Sequence, residues 1–307
     1  MEPPRILITG GTGLIGRALA ADLAAGGYDV VLLSRSPERA GTLPAHVRAA
    51  RWDGATAAGW QDLADGAYAI VNLAGENIGG GRWSAAAKRR IVESRTRAGA
   101  AVAAAVAGAL RKPRMLLQAS AVGYYGNCGD RLLPESVGPG TGFLAATCVA
   151  WEASTFAVEA AGVRRAIARS GVVLSQAGGA LPKLVLPFRL FAGGPMGDGR
   201  QWMPWIHLAD EVRALRFLIE EERAAGAFNL CVPTPERNAD LGRAIGDVLH
   251  RPSFLPAPAF ALKLALGEMA SIVLEGQRCV PERLLALGFR FESADLRPAL
   301  ADLLRPA

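Results

Sequence analysis

Apolar positions in the first half of the chain fall into two rhythms. Short runs rich in branched aliphatic residues, RILITG, DVVLLS, HVRAARW, YAIVNLAG, RMLLQAS and RRAIARSG, are separated by longer stretches with apolar residues every three to four positions. The runs read as strands, and the spacing between them predicts helices over 14–25, 84–110 and 143–161. Strands alternating with helices pair in parallel through crossovers and are covered on both faces. The expected fold class is α/β, a doubly wound parallel sheet of the Rossmann type over residues 1–175.

After Ser175 the rhythm changes. QAGGALPKLVLPFRLFAGGPMGDGRQWMPWIH is crowded with glycine and proline, which interrupt regular elements and favour loops. Helical spacing returns over 208–222 and 239–249, with strand-like GAFNLCV between them, and the Leu/Ala-rich stretch from Pro252 predicts a small helical cap. Residues 176–307 are therefore expected to form a substrate-binding and cap region interleaved with the core.

Composition narrows the function classes. The net charge of +6 is spread along the chain rather than gathered into a basic run, so no nucleic-acid partner is expected. Cys128, Cys148, Cys231 and Cys279 lie far apart with no metal-site spacing, which fits reduced thiols in a cytoplasmic protein and no metal. The first strand starts near Arg5 and leaves no room for a signal peptide, and the apolar stretch 98–110 is too short to cross a bilayer, so no membrane partner is expected.

The clearest chemistry is in ILITGGTGLIGRAL. Gly11, Gly13 and Gly16 satisfy G-x-G-x-x-G, and Gly10, Gly13 and Gly16 satisfy the related G-x-x-G-x-x-G, at the first strand-to-helix turn. There glycines permit a tight turn and close approach to a pyrophosphate, while the helix start offers free amides. Gly10, Thr12, Gly13, Leu14, Ile15 and Gly16 are the expected cradle. At the end of the second strand, where an acidic residue would bind the adenosine ribose, stand Ser34 and Arg35. A guanidinium suits a 2′-phosphate, so the expected cofactor is NADP(H). Asp53 is either an adenine partner or a turn former.

Taken together, TGGTGLIG, VNLAGENI, RW followed by ESR, SAVGYYG, WE, RSGVVLS, GGPMGDGRQWMPWIH and LEGQRCVPERLLALGF resemble the epimerase-like atypical short-chain dehydrogenase/reductases over essentially the whole chain. The resemblance implies an NADP-dependent oxidoreductase or epimerase-like activity. It also implies cofactor contacts at Leu73, Ala74, Arg95 and Val173; Arg90 stands where a relative has Glu.

In the wider superfamily a serine orients the carbonyl, a tyrosine exchanges the proton, and a lysine four residues further on activates it. No tyrosine here is followed by lysine at that spacing. Ser120 and Tyr125 of ASAVGYYG remain the candidate catalytic pair, with Tyr125 as a proton donor, or else the tyrosines pack under the loop. Glu76, Asn77 and His207 are second-choice acid/base groups. Arg189 and Arg200 suggest a small anionic substrate, a carbonyl compound or a sugar nucleotide. The rival reading is a catalytically impaired NADPH-binding sensor or adaptor.

Overall fold

The computed structural model describes residues 2–305. Seven strands form its main sheet: β1 (Arg5–Thr9), β2 (Asp29–Ser34), β3 (Val47–Arg51), β4 (Ala69–Asn72), β5 (Met115–Ala121), β6 (Arg164–Ser170) and β7 (Gly226–Leu230). Their order is β7-β6-β5-β4-β1-β2-β3, with every neighbouring pair parallel. The longer helices are α1 (Leu14–Ala25), α2 (Ala85–Gly108), α3 (Phe143–Ala153), α4 (Leu181–Arg189), α5 (Leu208–Glu220), α6 (Asn238–Leu249), α7 (Ala259–Leu266) and α8 (Leu296–Leu304).

The strands are apolar on both sides because both sides are covered. Ile6 and Ile8 pack with Leu19 and Leu23 of α1 and Leu215 and Leu218 of α5. Leu7, between them, packs on the other face with Ala98, Val102 and Val106 of α2. Alternate strand residues point to opposite faces, so a doubly covered strand must be apolar throughout.

The sheet does not end with residue 175. β7 pairs with β6 from Gly226↔Ala166 to Leu230↔Ser170, and α5 covers the same face as α1. A smaller core built around Leu181, Phe188, Trp205, Ile245 and Leu300 joins α4, α6 and α8. The helix expected over 143–161 is interrupted: Ser154 Oγ donates to the Trp151 carbonyl at 2.6 Å, and α3 stops at Ala153. A Cβ on Gly99 of α2 would collide with that hydroxyl, so the close crossing of the two helices requires the glycine.

Glu211 of α5 is buried; its Oε1 accepts from Ser170 Oγ at 2.6 Å, and its Oε2 has no hydrogen-bond partner among the described residues. Burial pushes this carboxyl up from 4.5 to about 7. Between those values the folded chain binds more protons than the unfolded one, so this contribution to stability is lost as pH rises through the window and stays lost above it. Glu211→Gln is therefore expected to stabilise the protein by about 3 kcal/mol near pH 8, and by much less near pH 4.5. Thermal melts at the two pH values check this; equal shifts at both would overturn it.

Candidate dinucleotide-binding and active site

The strand order reverses between β1 and β4, and ligands of open parallel sheets bind at the carboxyl ends of strands at such a point. The glycine loop occupies this position. Gly10 has φ +67°, and a Cβ there would lie 2.8 Å from the Leu73 carbonyl carbon. A Cβ on Gly16 would lie 2.6 Å from the Gly10 oxygen, whereas the nearest atom to one on Gly13 is that same oxygen at 3.2 Å. Gly10 and Gly16 thus serve the chain's contact with itself, while Gly13 keeps the space before it open.

Gly13 is the N-cap of α1, and no side chain caps the helix. The first amides, those of Leu14, Ile15 and Gly16, lack intrahelical acceptors and suit a phosphate. Arg17 fastens the cradle: its Nε donates to the Thr12 carbonyl at 2.9 Å and its Nη1 to the Ala40 carbonyl at 2.8 Å.

At the end of β2, Ser34 is buried and its Oγ accepts the Ser36 amide at 3.1 Å. Arg35 is exposed, and among the described residues no acidic side chain pairs with its guanidinium. Asp53 closes its own turn instead, accepting from the Ala55 and Thr56 amides and the Thr56 hydroxyl. The Thr56 hydroxyl and these amides hold its carboxyl below the usual range.

Beneath the cradle runs a buried polar ladder absent from the sequence reading. Thr9 Oγ1 donates to Asn72 Oδ1 at 2.6 Å, Asn72 Nδ2 to Gln118 Oε1 at 2.8 Å, and Gln118 Nε2 to the Ala119 carbonyl at 2.7 Å. It links β1, β4 and β5, and the Ala74 amide donates to Thr9 Oγ1, which seats Leu73 and Ala74 beside the glycines. Arg95 of α2 donates to the Glu76 and Ile91 carbonyls and stacks 4.8 Å over Trp151, bracing the loop after β4. Val173 pairs with Ile206 in a short parallel ladder, and its carbonyl lies near Gly179, which in turn approaches Leu14.

The Ser120–Tyr125 stretch is organised by residues that the sequence reading missed. Ser120 Oγ donates to Glu152 Oε1 at 2.6 Å; Arg169 grips both oxygens of Glu152, at 2.9 Å each, and donates to the Tyr125 hydroxyl at 3.0 Å. The Tyr125 hydroxyl donates to Asn229 Oδ1 at 2.8 Å, and Asn229 Nδ2 donates to the Leu133 and Val280 carbonyls. Tyr125 is 0% exposed, and burial pushes its phenol above the usual tyrosine range. The expected proton donor therefore sits inside an enclosed network with its donor and acceptor positions filled. Tyr124, next to it, is only half-buried, with the Arg169 guanidinium 3.4 Å over its ring. A signal existed: Glu152 is the only charged residue of FLAATCVAWEA, and Arg169 stands among the small and apolar residues of β6.

The remaining candidates are dispersed. His207 caps α5, its Nδ1 accepting the Ala209 amide at 3.0 Å. Glu76 pairs with Arg90, and Asn77 Oδ1 accepts the Gly79 amide. Arg200 lines a cavity of about 250 Å³ with Arg237, Trp202 and three acidic residues, Asp130, Asp198 and Glu275, and Arg189 does not. The Trp202 ring lies between the guanidinium groups of Arg237 and Arg278, at 4.3 and 4.7 Å, and its Nε1 donates to Asp130. Among the described residues no three His, Cys, Asp or Glu stand together as metal ligands, and no helix is long and apolar enough to cross a membrane.

A glycine cradle and an uncapped helix start at the reversal point of a parallel sheet define the dinucleotide-binding Rossmann class. The chain belongs to the NAD dependent epimerase/dehydratase family, which matches residues 6–231. A domain of unknown function (DUF1731) matches residues 257–303. The chain is 38% identical over 300 residues to epimerase family protein YfhF of Bacillus subtilis (strain 168), covering 97% of each. It is 37% identical over 308 residues to the chloroplastic epimerase family protein SDR39U1 homolog of Arabidopsis thaliana, covering 98% of this chain and 86% of the other. The crystal structure of human epimerase family protein SDR39U1 (isoform 2) with NADPH matches with a TM-score of 0.87 and 32% identity, over 97% of this chain and 98% of that one.

Proposed function

We propose that the protein is a cytoplasmic NADP(H)-dependent oxidoreductase or epimerase-like enzyme acting on a small anionic carbonyl compound or sugar nucleotide. The observation that carries the cofactor assignment is Arg35, exposed and without an acidic partner beside Ser34, where an acidic side chain would select NAD. The NADPH in the human relative supports it.

In this reading the amides of Leu14, Ile15 and Gly16 hold the pyrophosphate, Ser34 and Arg35 the 2′-phosphate, and Leu73, Ala74 and Val173 border the nicotinamide end, with Arg95 bracing the loop. The bound dinucleotide supplies or accepts a hydride. Ser120, buried with its proton directed at Glu152, accepts from the hydroxyl form of the substrate; orienting the carbonyl form requires that proton to turn from Glu152. Tyr124, the half-buried hydroxyl of the same loop, takes the proton role first expected of Tyr125. Arg200 receives the anionic group in the polar cavity, Arg237 being paired with Asp130.

NADPH is expected to bind more tightly than NADH, and Arg35→Asp is expected to weaken NADPH by about 1.5–3 kcal/mol through loss of a charged hydrogen bond. Fluorescence titration of both nucleotides checks this, and equal dissociation constants in the parent protein would sink the assignment.

A second reading, an NADPH-binding sensor or adaptor without turnover, is favoured by one observation: Tyr125 is enclosed and no lysine follows a tyrosine at the superfamily spacing. Tight NADPH binding with no oxidation across a panel of carbonyl compounds and sugar nucleotides would select it.

A further inference from the structure

Many of the exposed bulky apolar side chains fall in two segments that are neighbours in the fold. Leu190 and Phe191, after α4, are 68% and 62% exposed; Phe254 and Leu255 are 77% and 53%, and Phe260 and Leu264 of α7 are 75% and 76%. The two segments form a single surface because the chain stitches them together. The Leu255 amide donates to the Gly193 carbonyl at 3.0 Å, the Ala257 amide to the Pro195 carbonyl at 2.9 Å, and the Gly197 amide to the Ala257 carbonyl at 2.8 Å. Phe260 and Leu264 are four residues apart, hence on one side of α7, and no residue of that helix is buried. Phe191 holds a left-handed backbone, φ 59°, a conformation that disfavours a bulky side chain.

The charges within the two segments have one sign. Residues 176–197 and 248–267 include Lys183, Arg189, Arg251 and Lys263 and no Asp or Glu. Two of the three flanking acids are ion-paired, Asp247 with Arg297 and Glu268 with Lys88, while Asp198 is exposed and accepts only the Arg200 amide. A second copy of the same face would bring cations against cations. A peptide groove would need concavity, but these side chains project, and neither principal cavity is lined by them. Projecting aromatic and aliphatic side chains on segments whose own charges are all cationic suit the boundary between anionic headgroups and acyl chains.

We propose that this face docks peripherally on an anionic lipid bilayer, with Phe254, Phe260, Leu264 and Phe191 entering the headgroup boundary and Arg189, Arg251 and Lys263 meeting lipid phosphates. The absence of a spanning helix among the described residues concerns insertion across the bilayer, not contact with its surface. The docking is independent of the enzymatic reading, because none of these side chains belongs to the cofactor cradle.

The test is co-sedimentation of the full chain with vesicles of phosphatidylcholine alone and of phosphatidylcholine with about a third phosphatidylglycerol, at low and high salt. Binding is expected to the anionic vesicles only, and to weaken with salt. A Phe254→Ser, Phe260→Ser, Leu264→Ser triple variant and an Arg251→Glu, Lys263→Glu double variant are each expected to lose about tenfold or more in partitioning. Both should keep the parent's melting temperature and NADPH affinity. Absence of vesicle binding, equal binding to neutral vesicles, or full binding by the triple variant would overturn the proposal. So would a dimer in light scattering that the triple variant turns into a monomer while the parent ignores vesicles.

Discussion

Gly13→Ala is expected to leave the fold intact and to weaken NADPH binding about 100-fold or more, whereas Gly16→Ala is expected to damage the fold itself. The difference lies in what each added methyl meets. At Gly13 the nearest protein atom is 3.2 Å away, so the neighbour need give only slightly. The methyl then stands in the space that a pyrophosphate must approach, and charge-assisted hydrogen bonds worth about 1.5–3 kcal/mol each are lost or lengthened. At Gly16 the methyl would lie 2.6 Å from both the Gly10 oxygen and the Gly11 Cα, and these are backbone atoms that cannot rotate away. Overpacking of that kind costs about 1–3 kcal/mol or more. Melting temperature and NADPH titration, measured together, separate the two effects. An unchanged melting temperature for Gly16→Ala, or an unchanged NADPH constant for Gly13→Ala, would show that the loop is not the cradle described.

The other large effect is expected at Glu152. Glu152→Ala removes the only carboxylate among the described residues that pairs with Arg169, whose side chain is 6% exposed, and leaves a buried charge beside two tyrosine rings. Breaking a buried pair from one side costs about 3–5 kcal/mol, which corresponds to a fall of roughly 5–8 °C in melting temperature for a chain of this size. Replacing both partners, Glu152→Ala with Arg169→Met, is expected to cost less than the sum of the single changes, because no uncompensated charge remains. A double-mutant cycle measured by chemical denaturation reads this directly. Additive losses would mean that the two side chains do not act as a pair.

Much of the candidate dinucleotide site was legible in the sequence because its determinants are local. Gly10, Gly13 and Gly16 fall within seven residues, and the strand before them and the helix after them are each specified by their own apolar period. Ser34 and Arg35 follow from the end of a second such strand. β1, β2, β4 and β5 could be placed for the same reason: a buried parallel strand is a largely apolar run, and nothing distant is needed to recognise it.

The catalytic stretch is different. Tyr124 and Tyr125 are adjacent and chemically identical, and they separate only when the short 3₁₀ turn over 122–125 directs one ring into the core and leaves the other half-buried. What encloses Tyr125 comes from α3, β6 and β7, at Glu152, Arg169 and Asn229, and no spacing rule links positions so far apart in the chain. The same holds for Arg189 and Arg200, alike in sequence context but brought to different surfaces. By itself the sequence determined the doubly wound core and the phosphate cradle, since each rests on short-range periodicity and on glycines needed within one turn. Tertiary structure alone decided which hydroxyl is enclosed, which arginine faces the polar cavity and which apolar side chains are left outside, because burial and pairing depend on which distant elements the folded sheet brings together.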